Sequence, residues 1–457
     1  MLLEFLKFWC KNHPDILTGW NVKFFDLPYL MNRMRYIFDN DTINKMSPWN
    51  FVNADRIQLG QKNQQYWNIL GLSVLDYFDL YKKFTYVRQE SYKLNYIAKV
   101  ELGEQKLDNP YETFKDFYTK DYQRFVEYNI QDVELVDRLE DKMKLIELCL
   151  TMAYDYKVNY TDVYSQVRCW DTIIYNHLLT KNIIIPPRED QIKDSQYEGA
   201  YVKDPQLGLH NWIVSFDLNS LYPHLIMQYN ISPEMFLGVE PKAVGVENFL
   251  EEKLNLKWAK DRNVAIAPNG AMFKRDKQGF LPELMEKMYT ERVVYKKKAI
   301  EAKKEFQKTK DPIYSNEISR CHNIQMAKKI SLNSAYGAIG NQYFRYFDVK
   351  QAEAITLGGQ LSIRWVERDV NRFMNKLLGT DNKNYVVASD TDSIYLKLDT
   401  LVEKVCKGKS TKQIVEFLNK AAEDKIQKVI DDSYQNLAHY VNAYQQKMIM
   451  KREAIAN

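Results

Sequence analysis

At 457 residues the chain exceeds what one hydrophobic core organises, and implies roughly three domains or more. An apolar share of 45% and an aromatic share of 13%, with 32 tyrosines and only 16 glycines, exclude a disordered or low-complexity polypeptide. A net charge of +4 singles out no nucleic-acid, membrane or acidic partner.

The apolar start, Met1 to Trp9, is interrupted by Glu4 and Lys7, and Lys11-Asn12-His13-Pro14 is no leader cleavage site. It predicts a short amphipathic helix with Leu3, Leu6 and Cys10 on one face. Next come a strand over Ile16–Trp20, a helix over Leu27–Phe38, a strand over Val74–Tyr77 and a helical run over Asp116–Leu145, an α/β pattern. A mixed connecting stretch from about 146 ends at Ile183-Ile184-Ile185-Pro186-Pro187, whose proline pair marks a boundary. An apolar strand from Trp212 to Phe216 runs into Asp217 and a helix. Pro282 opens a charged helix to about Lys308, Asp311-Pro312 breaks it, and a second helix runs to Gly337–Gly340. Residues 384–398 read as two strands around Ser389-Asp390-Thr391-Asp392-Ser393, and Lys412–Lys451 as mostly helical. The five cysteines lack a CxxC pair and accompany only six histidines, so they fit reduced thiols of a soluble cytoplasmic protein rather than a zinc site. No apolar run reaches the roughly 18 residues of a membrane span.

Two acidic points carry chemistry. Asp217 ends an apolar strand, and Asp390-Thr391-Asp392 occupies a tight turn; both suit a cleft, because an unpaired acid is costly in a core. Such carboxylates are hard oxygen ligands of the kind Mg²⁺ takes, and two Mg²⁺ ions about 4 Å apart serve phosphoryl transfer. Taken alone, Asp-Thr-Asp-Ser is an ordinary turn sequence. Its companions add weight. Asp217-Leu218-Asn219-Ser220-Leu221-Tyr222-Pro223 places a helix start, with free N–H groups at Ser220 and Leu221, beside the acid. Tyr222 suits the floor under an incoming sugar, although any single tyrosine is more often core. Lys329, Asn333 and Tyr336, with Gly337 following, share a helical face, and Arg292 and Lys296 form a cationic pair at i, i+4. A charged stripe by itself is usually a solvated face.

In this order and at these separations, Asp-Leu-Asn-Ser-Leu-Tyr-Pro, Lys-x-x-x-Asn-Ser-x-Tyr-Gly and Asp-Thr-Asp-Ser resemble the three polymerase motifs of family B DNA polymerases. The text around Tyr229–Glu234, Ala267–Gly270 and Phe344–Asp348 is similar to that of the replicative polymerases of large tailed phages. The resemblance implies Asp217 and Asp392 as principal metal ligands, the Leu218 carbonyl assisting and Asp390 auxiliary. It implies Arg292, Lys296 and Lys329 on the triphosphate, Asn333 supporting that pocket, and Tyr222 as steric gate. Asn21–Tyr29, with Asp26, resembles the second motif of the family's 3′→5′ exonuclease. Tyr128-Asn129-Ile130-Gln131-Asp132 resembles the third, with Asp132 a metal ligand and Tyr128 orienting the attacking water. Tyr197-Glu198-Gly199-Ala200 looks like the element between the two sites.

The fold so implied is α/β and α+β multidomain. An RNase H-like exonuclease, in part, spans 1–145, and a connecting segment 146–188. A palm built on an antiparallel sheet spans 189–277 and 342–457, and helical fingers span 278–341; the thumb is absent. The activity implied is template-directed DNA synthesis with proofreading, using two Mg²⁺ at the polymerase site and two at a complete exonuclease site. The partners implied are primer-template DNA, deoxynucleoside triphosphates, a sliding clamp and other replisome proteins, in an infected bacterial cell if the origin is phage. Two departures qualify this. No Asp-x-Glu strand precedes Asp26, and the sequence stops at Asn457 before a thumb, so proofreading and efficient synthesis are not expected of these residues alone. The alternative is a non-catalytic fragment, or one subunit of a split polymerase. His224 stands where the family usually has Ser, and Ser389 where Gly usually precedes Asp-Thr-Asp.

Overall fold

A computed structural model of the protein describes residues 1–59, 62–85, 87–189, 192 and 196–457. The chain divides into two compact units, Met1–Ser165 and Gln166–Asn457.

In the first unit, helix α1 (Leu2–Lys11) leads to strand β1 (Ile16–Leu17) and helices α2 (Asp26–Ile37) and α3 (Asn40–Asn44). An antiparallel hairpin follows, β2 (Val52–Leu59) with β3 (Lys62–Ile69), and then β4 (Ser73–Val74), parallel to β1. Helices α4 (Tyr77–Phe84), α5 (Leu94–Leu102), α6 (Phe114–Lys120), α7 (Tyr122–Met143) and α8 (Leu145–Tyr156) complete it. Its core gathers Leu6, Leu27, Met31, Met34, Met46 and Ile69, with Leu2, Phe5 and Trp9 packed on them.

Four expectations are corrected here. Helix α1 buries Leu6 and packs Leu2, Phe5, Trp9 and the expected Cys10 on the core, but Leu3 is exposed. The first strand stops at Leu17. The strand expected over Val74–Tyr77 yields at Asp76, whose carboxylate accepts from the Phe78 N–H and starts α4. The run over Asp116–Leu145 is several helices, because Asp121 leaves helical geometry to cap α7 and Lys144 takes a left-handed conformation.

The second unit begins with α9 (Gln166–Thr180), β5 (Val202–Lys203), β6 (Ile213–Leu218) and α10 (Leu221–Tyr229). Then come β7 (Phe236–Val239), α11 (Val246–Leu250), α12 (Lys257–Asp261), β8 (Val264–Ile266), β9 (Ala271–Lys274), α13 (Phe280–Thr309), α14 (Pro312–Ile339) and α15 (Val349–Leu378). The rest is β10 (Val386–Asp390), β11 (Ser393–Lys397), α16 (Asp399–Val405), α17 (Thr411–Ala421), a π-helical turn over Ala422–Ile426, α18 (Gln427–Tyr440) and β12 (Met450–Ala456). The chain end is therefore a strand, which corrects the helical reading through Lys451. Lys451-Arg452-Glu453-Ala454 has helix-favouring residues, but β12 finds a distant partner, and tertiary pairing outweighs propensity.

Five strands form one antiparallel sheet in the order β12-β6-β11-β10-β5. Helices α15 and α18 pack on each other, α15 also meeting β10 and β11 and α18 meeting β12. Helices α13 and α14 form a hairpin rooted at one end only. α13 buries Phe280, Leu281, Leu284, Met285 and Met288 in its first turns and only Ala302 beyond; the buried residues of α14 lie from Cys321 onward. Between the two helices, the nearly buried Lys328 pairs with Glu291 at 2.6 Å.

The root is capped from outside the helix. Asn230 accepts from Gly279 N–H at 2.9 Å, Glu234 from Phe280 at 2.7 Å and the Ser232 hydroxyl from Leu281 at 3.3 Å. Three of the N–H groups that a helix start leaves unsatisfied are thus supplied with acceptors by one loop. No described helix is long and apolar enough to cross a membrane.

Candidate active sites

The central strands of the five-stranded sheet bring the two acidic points together. In the β6–β11 register Asp217 stands opposite Ser393, next to Asp392, and the Leu218 N–H donates to the Asp392 carbonyl at 2.8 Å. Burial, then the Asp392 and Glu453 charges, push the Asp217 carboxyl up to about 6. Burial likewise raises Asp392, with Asp390 and Glu453 adding to it. The turn between them is constrained. Thr391 is left-handed (φ 54°), its N–H donates to the Tyr201 carbonyl at 3.0 Å, and its hydroxyl donates to the Asp390 carboxylate at 2.9 Å. A β-branched residue rarely holds that conformation, and the surrounding bonds fix it.

Ser220, at the start of α10, is also left-handed (φ 50°). Its hydroxyl accepts from the Arg292 guanidinium at 3.2 Å, and its carbonyl accepts from the buried His224. His224 turns its ring edge-on to Tyr289 at 4.6 Å, and burial holds its pKa down. Both Arg292 and Tyr289 lie on α13, so the loop after Asp217 is tied to the helical hairpin by a hydrogen bond, and α10 by a ring contact. Tyr222 packs on Tyr336 of α14 with centroids 4.7 Å apart, and Tyr197 meets Tyr336 edge-on at 6.5 Å. Burial raises Tyr222 and, more strongly, Tyr336. Lys296 and Asn333 are exposed, Lys329 is half-buried one turn before Asn333, and Gly337 follows Tyr336 in the open. Tyr197–Ala200 adjoins this cluster, with Gln360 of α15 donating to the Gly199 carbonyl at 2.8 Å.

In the first unit, Asp26 opens α2. Burial raises its pKa; Asp132 adds to the rise and Lys106 opposes it, so the three groups share one neighbourhood. Lys106 pairs with Asp132 at 2.6 Å and lies 5.5 Å from the centre of the Tyr128 ring. Tyr128 and Asp132 are one turn apart on α7.

Residues 158–438 match the family described as DNA polymerase family B. The chain belongs to DNA polymerase family B. Residues 1–97 match that family's exonuclease domain. This family B chain is 34% identical over 503 residues to the DNA-directed DNA polymerase of Escherichia phage RB69, covering 100% of this chain and 55% of that protein. Against the DNA-directed DNA polymerase of Enterobacteria phage T4 the figures are 34% over 501 residues, 100% and 55%. The DNA polymerase delta catalytic subunit of Drosophila melanogaster is 28% identical over 421 residues, covering 88% of this chain and 36% of that protein. The chain thus spans about half the length of the two phage relatives.

Three groups of this family B chain escaped the reading of the sequence. Glu453 reaches the Asp217–Asp392 pair from β12, a strand whose pairing no local pattern discloses. Lys106 lies between short helices, with no periodicity to mark it. Asp76 is 2% exposed and accepts from the N–H groups of Asn21, Lys23 and Phe78, bracing the loop just before Asp26. A Leu-Asp-Tyr-Phe-Asp run does hint at a helix cap there, though not at its distant partners.

Proposed function

We propose that the protein containing this chain adds deoxynucleoside triphosphates to a primer 3′ end on a DNA template, and excises mispaired ends with a 3′→5′ exonuclease. The observation that carries this reading is the placing of Asp217 on β6 beside Asp392 in the turn that enters β11, next to a loop that Arg292 grips from the helical hairpin. In this reading the five-stranded sheet is the palm (189–277 and 342–457) and α13 with α14 are the fingers (278–341). Residues 1–145 belong to the exonuclease, and 146–188 connect.

The donor set suits Mg²⁺. Asp217 and Asp392 are hard oxygen donors; burial first, and then the Asp392 charge, raises the Asp217 pKa, and a dication offsets both. No cluster of three or more acidic, His or Cys ligands occurs among the described residues. Mg²⁺ takes one or two carboxylates and completes its shell with substrate phosphate and water. Asp217, Asp392 and the Leu218 carbonyl would hold it, with Asp390 auxiliary. When bound, such ions lower the pKa of the attacking 3′ hydroxyl and neutralise the departing pyrophosphate. Arg292, Lys296 and Lys329 neutralise the triphosphate, while the N–H groups of Ser220 and Leu221 and the Asn333 amide orient it. Tyr222, braced by Tyr336 with Gly337 beside it, occupies the space of a 2′ hydroxyl. In the first unit Asp26 and Asp132 would hold the exonuclease metal, and Tyr128 orients water. The partners are primer-template DNA, deoxynucleoside triphosphates, a sliding clamp and other replisome proteins, and the phage relatives support the cytoplasm of an infected bacterial cell as the place of action.

The test is primer extension with Mg²⁺ by the protein as its gene encodes it. Asp392→Asn and Asp217→Asn are each expected to lower kcat at least about 10²-fold, a loss on the scale of one transition-state contact, with the circular dichroism unchanged. Asp132→Asn is expected to remove excision and leave extension intact. Undiminished extension by Asp392→Asn overturns the assignment.

A further inference from the structure

Lined by no residue of either site, two clefts flank the short helix α12 and share Leu256 in their walls. One, of about 550 Å³, lies between α12, α15 and α18; the other, of about 380 Å³, lies on the far side of α12. Seven lysines and arginines line the pair against three carboxylates, an excess of four. The whole chain carries +4, so the remainder is neutral on balance.

Some of that charge builds the wall. Arg368 bonds to the Leu250 carbonyl, Glu252 and Asp369, and lies 3.9 Å over Trp365, which stacks on Tyr440 at 5.7 Å. The rim differs. Lys242, Lys257, Lys260 and Arg262 have no ion pair among the described residues, and the last three fall within two turns of chain. Lys260 faces the His439 imidazole at 3.5 Å, and Arg262 lies 5.5 Å from the centre of the half-exposed Trp258 ring. Such like charges repel one another, and an external polyanion relieves them.

We propose that this surface binds the backbone of single-stranded DNA. The phosphates lie along Lys242, Lys257, Lys260 and Arg262, and a base rests at Trp258. Cations interleaved with an aromatic ring are what a strand with exposed bases requires. The clefts adjoin across one short helix and each has the volume of a small-ligand site, which suits the separate units of a flexible strand. The choice of DNA over other polyanions rests on the polymerase reading, whereas the anion site itself does not.

Fluorescence anisotropy of a fluorescein-labelled dT16 strand on the full protein tests this, across a NaCl series. K257E/K260E/R262E is expected to weaken binding at least tenfold and to reduce the salt slope by about 2, given about 0.7 per phosphate contact on a single strand. W258A is expected to weaken it about fivefold or more with the slope unchanged, since stacking carries no counterions. All the charge changes are at exposed positions, so unaltered thermal unfolding is the control for folding. Unchanged dT16 affinity and slope in the triple variant overturn the proposal. So does tripolyphosphate or poly-glutamate displacing dT16 at equal charge concentration, which marks a general polyanion surface. Extension on a primer-template with a one-nucleotide overhang is expected to survive the triple variant. Its absence from the unaltered protein refutes the polymerase reading while the dT16 result still decides this one.

Discussion

Asp76 carries no proposed chemistry, yet it sets how the first unit responds to pH. Burial pushes it from an ordinary value near 3.8 up to about 6, despite three N–H groups donating to it. The folded state therefore holds this proton more tightly than the unfolded chain. Its contribution to stability is complete below about pH 3.8 and is lost as pH rises through about 6. The difference between those values corresponds to about 3 kcal/mol as an order of magnitude. Burial also raises Asp26, Asp79 and Glu140, which act with the same sign. Hydrogen-exchange protection in residues 15–30, corrected for intrinsic rates, is expected to fall between pH 4.5 and 7.5. Asp76→Asn removes its share of that slope. It also costs about 1–3 kcal/mol, more at pH 4.5 than at 7.5, because its amide N–H₂ cannot accept from Lys23. Protection that rises with pH contradicts the account.

At the scale of elements, the base of the α13–α14 hairpin is set by contact with another segment. Gly279 leaves no room for a side chain: a Cβ there lies 2.6 Å from the Ser232 Cβ and 3.0 Å from its hydroxyl oxygen. Gly279→Ala is expected to push Ser232 off the Leu281 N–H, at the 1–3 kcal/mol typical of overpacking. The readouts are faster amide exchange at Phe280–Leu284 and, on the proposed function, a raised KM for nucleotide. Exchange unchanged at those amides shows that the root does not depend on this fit.

The same scale shows why some elements were legible and others were not. Helices α13 and α14 announce themselves by Pro282, Asp311-Pro312 and a long charged pattern, and β10 and β11 by apolar runs on either side of a polar turn. The β2–β3 hairpin has no such mark. Most of its side chains face solvent, so no alternation separates an inner face from an outer one. Strand β12 was hidden for the opposite reason: its residues favour a helix, and only β6 makes it a strand. The Asp217–Asp392 pair was readable because its motif residues are each local. Glu453, Lys106 and Asp76 act through partners 26 or more residues away, which local pattern does not encode.

At the scale of the molecule, each compact unit carries one of the two proposed centres. Asp26 opens α2, whose Leu27, Met31 and Met34 lie in the first core; Asp217 lies on β6 of a sheet backed by α15 and α18, with Asp392 in the adjoining turn. Separate cores make separate cooperative units. Scanning calorimetry is therefore expected to resolve two transitions, one for residues 1–165 and one for 166–457. For units of this size 1 kcal/mol moves a midpoint by about 2–4 °C. Asp76→Asn is expected to move only the first by several degrees, and Gly279→Ala only the second. Raising the pH from 4.5 to 7.5 is expected to lower the first midpoint, and Asp76→Asn to lessen that drop. A single transition displaced by both substitutions shows instead that the carboxylates of one centre and the hairpin of the other belong to one cooperative fold. Loosening either would then destabilise both units together.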